Sequence, residues 1–118
     1  MSQKIKYYHF NSWHFRNNNK RHSKEKNNGN HPTLIVGITN DGQEYLNIGI
    51  THSNKRGHHK NPMIKNPINW KKHSHVRDDI SLNNVKHFSN KLSEYKLHPS
   101  DVKTILKIVE KYKKKNPL

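Results

Sequence analysis

The chain has 118 residues, its 23 Lys and Arg outnumber its 8 Asp and Glu, and its formal charge is +15. Only 29% of residues are hydrophobic and none is cysteine, which leaves material for one small core and excludes disulfides and thiolate metal sites. No apolar run approaches the roughly 20 residues of a membrane span, and the basic N-terminus lacks the apolar segment of a secretory signal. One cytoplasmic domain, residues 1–118, is expected, with no membrane partner and with oligomerisation left open.

The placement of charge says more than its sum, because AT-rich coding by itself favours Lys and Asn. Met1 to Lys24 holds six Lys or Arg and no acid; Tyr45 to Arg77 holds seven and again no acid. Such stretches repel themselves unless a polyanion lies against them. Nucleic acid fits that role. An anionic membrane fits less well, since no basic segment carries an apolar helical face.

In chain order, residues 1–32 read as a basic arm and loop. Lys4 to Phe10 has strand-like content, and Asn11 to Arg16 continues it with aromatics among polar groups. Trp13 and Arg16 in this segment suit stacking and phosphate contact with single-stranded nucleic acid; the alternative is that Phe10, Trp13 and Phe15 anchor the arm to the core, as a small core needs its aromatics. Asn17 to Asn30 is a long polar loop. Residues 33–82 form the β core. Leu34 to Thr39 is continuously apolar, as in a strand buried on both faces. Asn40-Asp41-Gly42 is a hairpin turn. Glu44 to His52 alternates, with Tyr45, Asn47, Gly49 and Thr51 on one face and Leu46, Ile48, Ile50 and His52 on the other. Asn54 to Asn69 reads as loop, interrupted by Asn-Pro pairs that forbid helix. Trp70 to Arg77 reads as a strand, and Ile80 and Leu82 as one more. Residues 83–115 read as helical: a first helix capped at Asn83 or Asn84 with Val85, Phe88, Leu92 and Tyr95 on one face, a break at His98-Pro99, then a helix with Ser100 as N-cap and an apolar stripe of Val102, Ile105, Leu106, Val109 and Tyr112. The fold class expected is α+β: a small antiparallel sheet or half-open β-barrel with one or two C-terminal helices.

Chemistry-bearing residues gather where the second hairpin strand runs out. Thr51, His52, Ser53 and Lys55 supply hydroxyls, an imidazole and an ammonium, and His31 opens the paired strand. Arg56, His58, His59, Lys60 and Lys65 follow in the acid-free loop and suit phosphate contact. The adjacent His58 and His59 and the alternating His73 and His75 invite a metal reading, but neither pair has a third ligand at a defined spacing, and zinc needs three or four. No metal site or cofactor is expected. A nucleophile elbow, a phosphate-binding glycine loop and an acidic two-metal cluster are also missing from the sequence. Metal-free cleavage of RNA needs only a base for the 2′-hydroxyl, an acid for the leaving oxygen and donors on the phosphorane.

The segment Leu34 to Lys55 resembles the core of the ToxN/AbiQ-type endoribonuclease toxins, relatives of the MazF/Kid toxins. The matching pieces are Val36-Gly37-Ile38, Asp41-Gly42, Glu44-Tyr45-Leu46, and then Thr51, Ser53 and Lys55. The resemblance spans about 23 of the 118 residues. It implies a half-open barrel, RNA as substrate, cleavage to a 2′,3′-cyclic phosphate and a folded RNA as antitoxin. His52 splits the Thr-Ser pair, and the family's lysine before the first strand has its nearest counterpart in His31. The leading expectation is thus a metal-independent, sequence-preferring endoribonuclease with His52 or His31 as base or acid, Thr51 and Ser53 as donors and Lys55 as charge stabiliser. The rivals are a non-catalytic nucleic-acid-binding protein of a mobile element and a module that binds an acidic protein.

Overall fold

In the computed structural model, which describes residues 5–17, 30–51 and 61–116, the hairpin is central. Strand β2 (Asn30–Thr39) pairs antiparallel with strand β3 (Glu44–Thr51). The turn closes as the Gly42 amide donates to the Thr39 carbonyl at 2.8 Å, with Gly42 at φ 74°. The Asp41 carboxylate accepts from the Thr39 hydroxyl (2.7 Å) and the Gln43 amide (3.0 Å), the local bonding that makes Asp a turn former. Leu34, Ile35 and Val36 are wholly buried, as are Leu46 and Ile48 across from them.

Strand β1 (Ile5–Asn17) runs antiparallel along the other edge of β2. It approaches so closely that a Cβ at Gly37 would lie 3.1 Å from the Lys6 carbonyl and 3.2 Å from Ile5 Cγ2. The β1–β2 register shifts between Tyr7 and Ser12. In that irregular stretch the Asn11 side chain accepts the Leu97 amide at 2.9 Å. Three short strands complete the described sheet: β4 (Met63–Lys65), β5 (His73–Val76) and β6 (Ser81–Asn84). The order is β1-β2-β3-β5-β4, and β6 also pairs with β3. β3 thus serves two partners on one edge, β6 along Glu44–Asn47 and β5 at Ile50 and Thr51. The result is the expected α+β class: a curled antiparallel sheet with one C-terminal helix, α1 (Val102–Lys115).

One sheet face builds the core. Trp13, Leu34, Val36, Leu46, Ile48, Ile64 and Val76 pack with Leu97, Ile105, Ile108 and Val109. Each large side chain so buried contributes about 1.5–3 kcal/mol. Buried Thr33, Asn47 and Asp101 are hydrogen-bonded, whereas the buried Trp13 indole N–H meets no acceptor among the described residues. The Thr33 hydroxyl donates to Asn47 Oδ1 at 3.2 Å, and Asn47 Nδ2 donates to the Ser81 carbonyl and to Asn83 Oδ1, both at 3.0 Å. Asp101 is buried and accepts the Lys65 amide at 2.8 Å, which ties the start of α1 to β4. Among the described residues, the ion pairs Lys111–Asp78 (2.8 Å) and Lys113–Glu110 (3.5 Å) lie on the surface, where such pairs contribute about 1 kcal/mol or less. No helix among the described residues is long and apolar enough to cross a membrane.

Several elements differ from expectation. The first helix is a single 3-10 turn, Val85–His87, capped by Asn84. Beyond it two amides bond to β1 where a helix would bond to itself: the Ser89 amide donates to the Phe15 carbonyl (2.9 Å) and the Leu92 amide to the Trp13 carbonyl (2.8 Å). Ser100 is not a helix cap; the His98 side chain caps a 3-10 turn over Pro99–Asp101 that leads into α1. On α1 the buried stripe includes Ile108, while Leu106 is exposed. The expected loop 54–69 contains β4, and the strand expected from Trp70 begins only at His73. Residues 66–72 form a loop because Asn66 organises them. Its Oδ1 accepts the Ile68 and Asn69 amides, its amide donates to the Lys72 carbonyl, and its Nδ2 donates to Ser74 Oγ. Of the loop expected from Asn17 to Asn30, Asn17 ends β1 and Asn30 opens β2, the two pairing with each other; residues 18–29 lie outside the described residues.

Two outcomes test this fold. The amides of Ile35 to Ile38 are expected among the slowest to exchange with solvent; fast exchange there would displace the hairpin from the centre. Asn47→Ala strands the Thr33 hydroxyl and the Ser81 carbonyl, so urea denaturation is expected to register a loss of about 1–3 kcal/mol.

Candidate functional site

The face of the sheet opposite the core carries mostly polar side chains, with Thr33, Ile35 and Asn47 buried on it. Along β1, alternation puts Trp13 and Phe15 against Tyr95 on the core side, so Ser12, His14 and Arg16 share the other face. On β3 that face carries Tyr45, Asn47, Gly49 and Thr51. On the β4–β5 hairpin it carries Met63 and Lys65 opposite His75 and His73, while Ile64, Ser74 and Val76 are buried.

Registers line up a row at one end of this face. Arg16 pairs with His31 across β1 and β2. Thr51 pairs with His75 across β3 and β5, and His75 with Met63 on β4. The last β2–β3 pair is Thr33 with Gly49, and His31 and Thr51 each lie two residues beyond it at the same end. Arg16, His31, Thr51 and His75 thus occupy successive strands across about 14 Å, at roughly 4.8 Å per strand. The Arg16 guanidinium, the Thr51 hydroxyl and the His75 imidazole on these strands suit a phosphate chain.

Of the residues expected from sequence, Thr51 and Arg16 lie in this row and His31 occupies a register position in it. Lys65 shares the face, opposite His73. Trp13 does not belong to the site: it is fully buried in the core, so it is the anchor and not a stacking surface, and its indole N–H meets no acceptor among the described residues. His52, Ser53, Lys55, Arg56, His58, His59 and Lys60 lie outside the described residues. His73 and His75 do share a strand face, but among the described residues no three His, Cys, Asp or Glu converge as a metal would need.

His14 was not among the residues expected from sequence. Its Nδ1 lies 2.8 Å from the Ser89 carbonyl oxygen and its Nε2 lies 3.2 Å from Ser12 Oγ. A carbonyl only accepts, so Nδ1 carries the proton and Nε2 of the neutral ring is the basic atom. The ring lies 5.8 Å from that of Tyr45, which meets Phe88 edge-on at 5.1 Å. An imidazole fixed at Nδ1 by an acceptor, with Nε2 facing a hydroxyl, is the arrangement of an oriented general base. The alternation Ser12-x-His14-x-Arg16 was available in the sequence, but Ser89, 75 residues away, was not.

No family model, curated protein or solved structure matches the chain. The tautomer is testable. Long-range proton–nitrogen correlation spectra are expected to find the neutral His14 ring protonated at Nδ1; a proton on Nε2 would remove the oriented base.

Proposed function

We propose that the chain binds RNA on the polar face and cleaves it without a metal ion. The observation that carries this reading is the fixed His14 imidazole beside Arg16 on one strand face, at the end of the sheet where the Arg16–His75 row runs. Successive residues on a strand face are about 7 Å apart, so one phosphate held by Arg16 lies within reach of His14. His31, opposite Arg16 by register, is the diagonal neighbour of His14, about 7–8 Å away. In this scheme His14 Nε2 takes the 2′-hydroxyl proton, displacing Ser12. The 2′-oxygen attacks the adjacent phosphorus and the bond from phosphorus to the 5′-oxygen breaks. The His31 imidazolium gives that oxygen its proton. Arg16, with Thr51 as a hydroxyl donor, stabilises the phosphorane. The products are a 2′,3′-cyclic phosphate and a 5′-hydroxyl. The net charge of +15 draws a polyanionic substrate to the chain. The resemblance of Leu34 to Lys55 to the ToxN/AbiQ-type toxins supports a toxin role with an RNA antitoxin, and it keeps His52, Ser53 and Lys55 as further candidates on sequence grounds.

One observation favours a second reading. Ser12 already sits on His14 Nε2, as it would if the imidazole were only a strut; the face would then hold nucleic acid without cutting it.

Cleavage of cellular RNA with chelator present, mapped at the new 5′ ends, separates the two. His14→Ala and His31→Ala are each expected to lower the rate about 10²–10⁴-fold, and Arg16→Ala about 10²–10³-fold, with the fold retained. Unchanged cleavage in all three would move the site. Binding without cleavage by the parent chain would install the second reading. Neutralising Arg16 and Lys65 together is expected to lower the slope of log affinity against log salt by about two, and an unchanged slope would put the phosphates on another face.

A further inference from the structure

We propose that the cleft between the 66–72 loop and residues 94–96 seats one unstacked guanine base of single-stranded RNA against the Trp70 indole. This rests on the reading of the chain as an RNA binder and adds a base-reading site outside the Arg16–His75 row.

The cleft is open, about 380 Å³, and lined by Pro67, Ile68, Trp70, Lys71, Glu94 and Lys96 among others. That size is in the range of small-molecule sites. Trp70 is 43% exposed and takes no part in the core cluster, in a chain with only two tryptophans. Its exposure is not looseness. The indole N–H donates to the Lys96 carbonyl at 3.0 Å, and the ring meets His98 nearly edge-on at 4.4 Å and 74°. His98 is held in turn, its Nδ1 accepting the Ser100 amide at 3.0 Å with the Ser100 hydroxyl 2.8 Å away. The loop is fixed by Asn66, and the Lys96 amide donates to the Pro67 carbonyl at 2.9 Å. A flat ring so fixed can take a stacked base with little further ordering, which is where stacking platforms gain affinity.

The charges narrow the occupant. Lys71 and Lys96 suit the phosphates on either side of a stacked base. Glu94 does not suit a phosphate, but an ionised carboxylate is a pure acceptor that can take two parallel N–H donors. The Watson–Crick edge of guanine offers such a pair, N1–H beside the 2-amino group. Adenine, cytosine and uracil each present a single donor position there. Stacking, flanking cations and a carboxylate acceptor together describe a guanine in a single strand.

The test uses the full chain and a uridine nonamer with one central guanosine, 2′-O-methylated throughout so that it is not cut. Trp13 is fully buried, so fluorescence quenching on titration reports Trp70. Saturable quenching is expected. Trp70→Ala is expected to weaken binding about 5- to 150-fold, the range for loss of one stacked base, and Trp70→Phe to weaken it less. Glu94→Gln is expected to erase the preference for guanosine over adenosine at the centre. An abasic residue at the centre is expected to bind the parent chain as weakly as the guanosine nonamer binds Trp70→Ala. Binding without quenching, undiminished in Trp70→Ala or with the abasic nonamer, would overturn the proposal and leave the RNA-binding reading standing. Equal quenching by an acidic peptide of the same charge would also overturn it. No binding of RNA by the parent chain would overturn both.

Discussion

The curl of this sheet depends on how the outer edge of β1 is satisfied. A 13-residue strand at the border of a sheet exposes a row of unpaired amides and carbonyls, which invites pairing with other chains. Here the segment after β6 turns back and supplies partners: Phe88 bridges to Arg16, the Ser89 amide and hydroxyl bond to Phe15, and the Leu92 amide bonds to Trp13. The segment leaves β6, which is bonded to β3, and arrives at β1, so it joins the two sides of the curve. The same segment brings the Ser89 carbonyl to His14 and Phe88 to Tyr45. Protecting the edge, curving the sheet and orienting the imidazole are thus one set of contacts.

That economy suits a chain with so little apolar material. The core is one layer of side chains between a sheet and a 14-residue helix. Its specificity comes partly from buried polar groups with complete partners. Asn47 joins β2, β3 and β6 through side-chain bonds, and Asp101 joins α1 to β4. A fully bonded polar group inside costs little, whereas shifting any of these strands would strand one.

Legibility in the sequence follows the range of the interactions. The hairpin was legible because Asn40-Asp41-Gly42 and the apolar runs beside it act within a few residues. The helix was legible from its stripe, although Leu106 and Ile108 exchange roles: both fall near the border of the buried arc, and only the neighbouring sheet decides between them. Val85 to Tyr95 has helical spacing, yet its Ser89 and Leu92 amides go to a strand more than 70 residues earlier. The loop around Asn66 was hidden for another reason. Its side chain replaces backbone bonds, and the alternation from Trp70 to Val76 looked like a strand. At the candidate site, Thr51, Arg16 and the alternating His73 and His75 could be read locally. His14 could not, since an imidazole gains meaning from its acceptor.

The surface ion pairs seen among the described residues bear on how the free chain responds to its medium. With 23 basic and 8 acidic side chains, mutual repulsion among cations outweighs what Lys111–Asp78 and Lys113–Glu110 return. Dissolved salt shortens the reach of that repulsion, to about 8 Å at physiological ionic strength, while forfeiting little from pairs that solvent already weakens. Ionic strength therefore steadies the folded chain by itself, and under the proposed function it would act with the opposite sign on the hold on a polyanion. In that proposed complex and in dilute buffer, the polyanion would take over the screening that salt otherwise supplies, which would make ligand and electrolyte interchangeable stabilisers of the same overcharged fold.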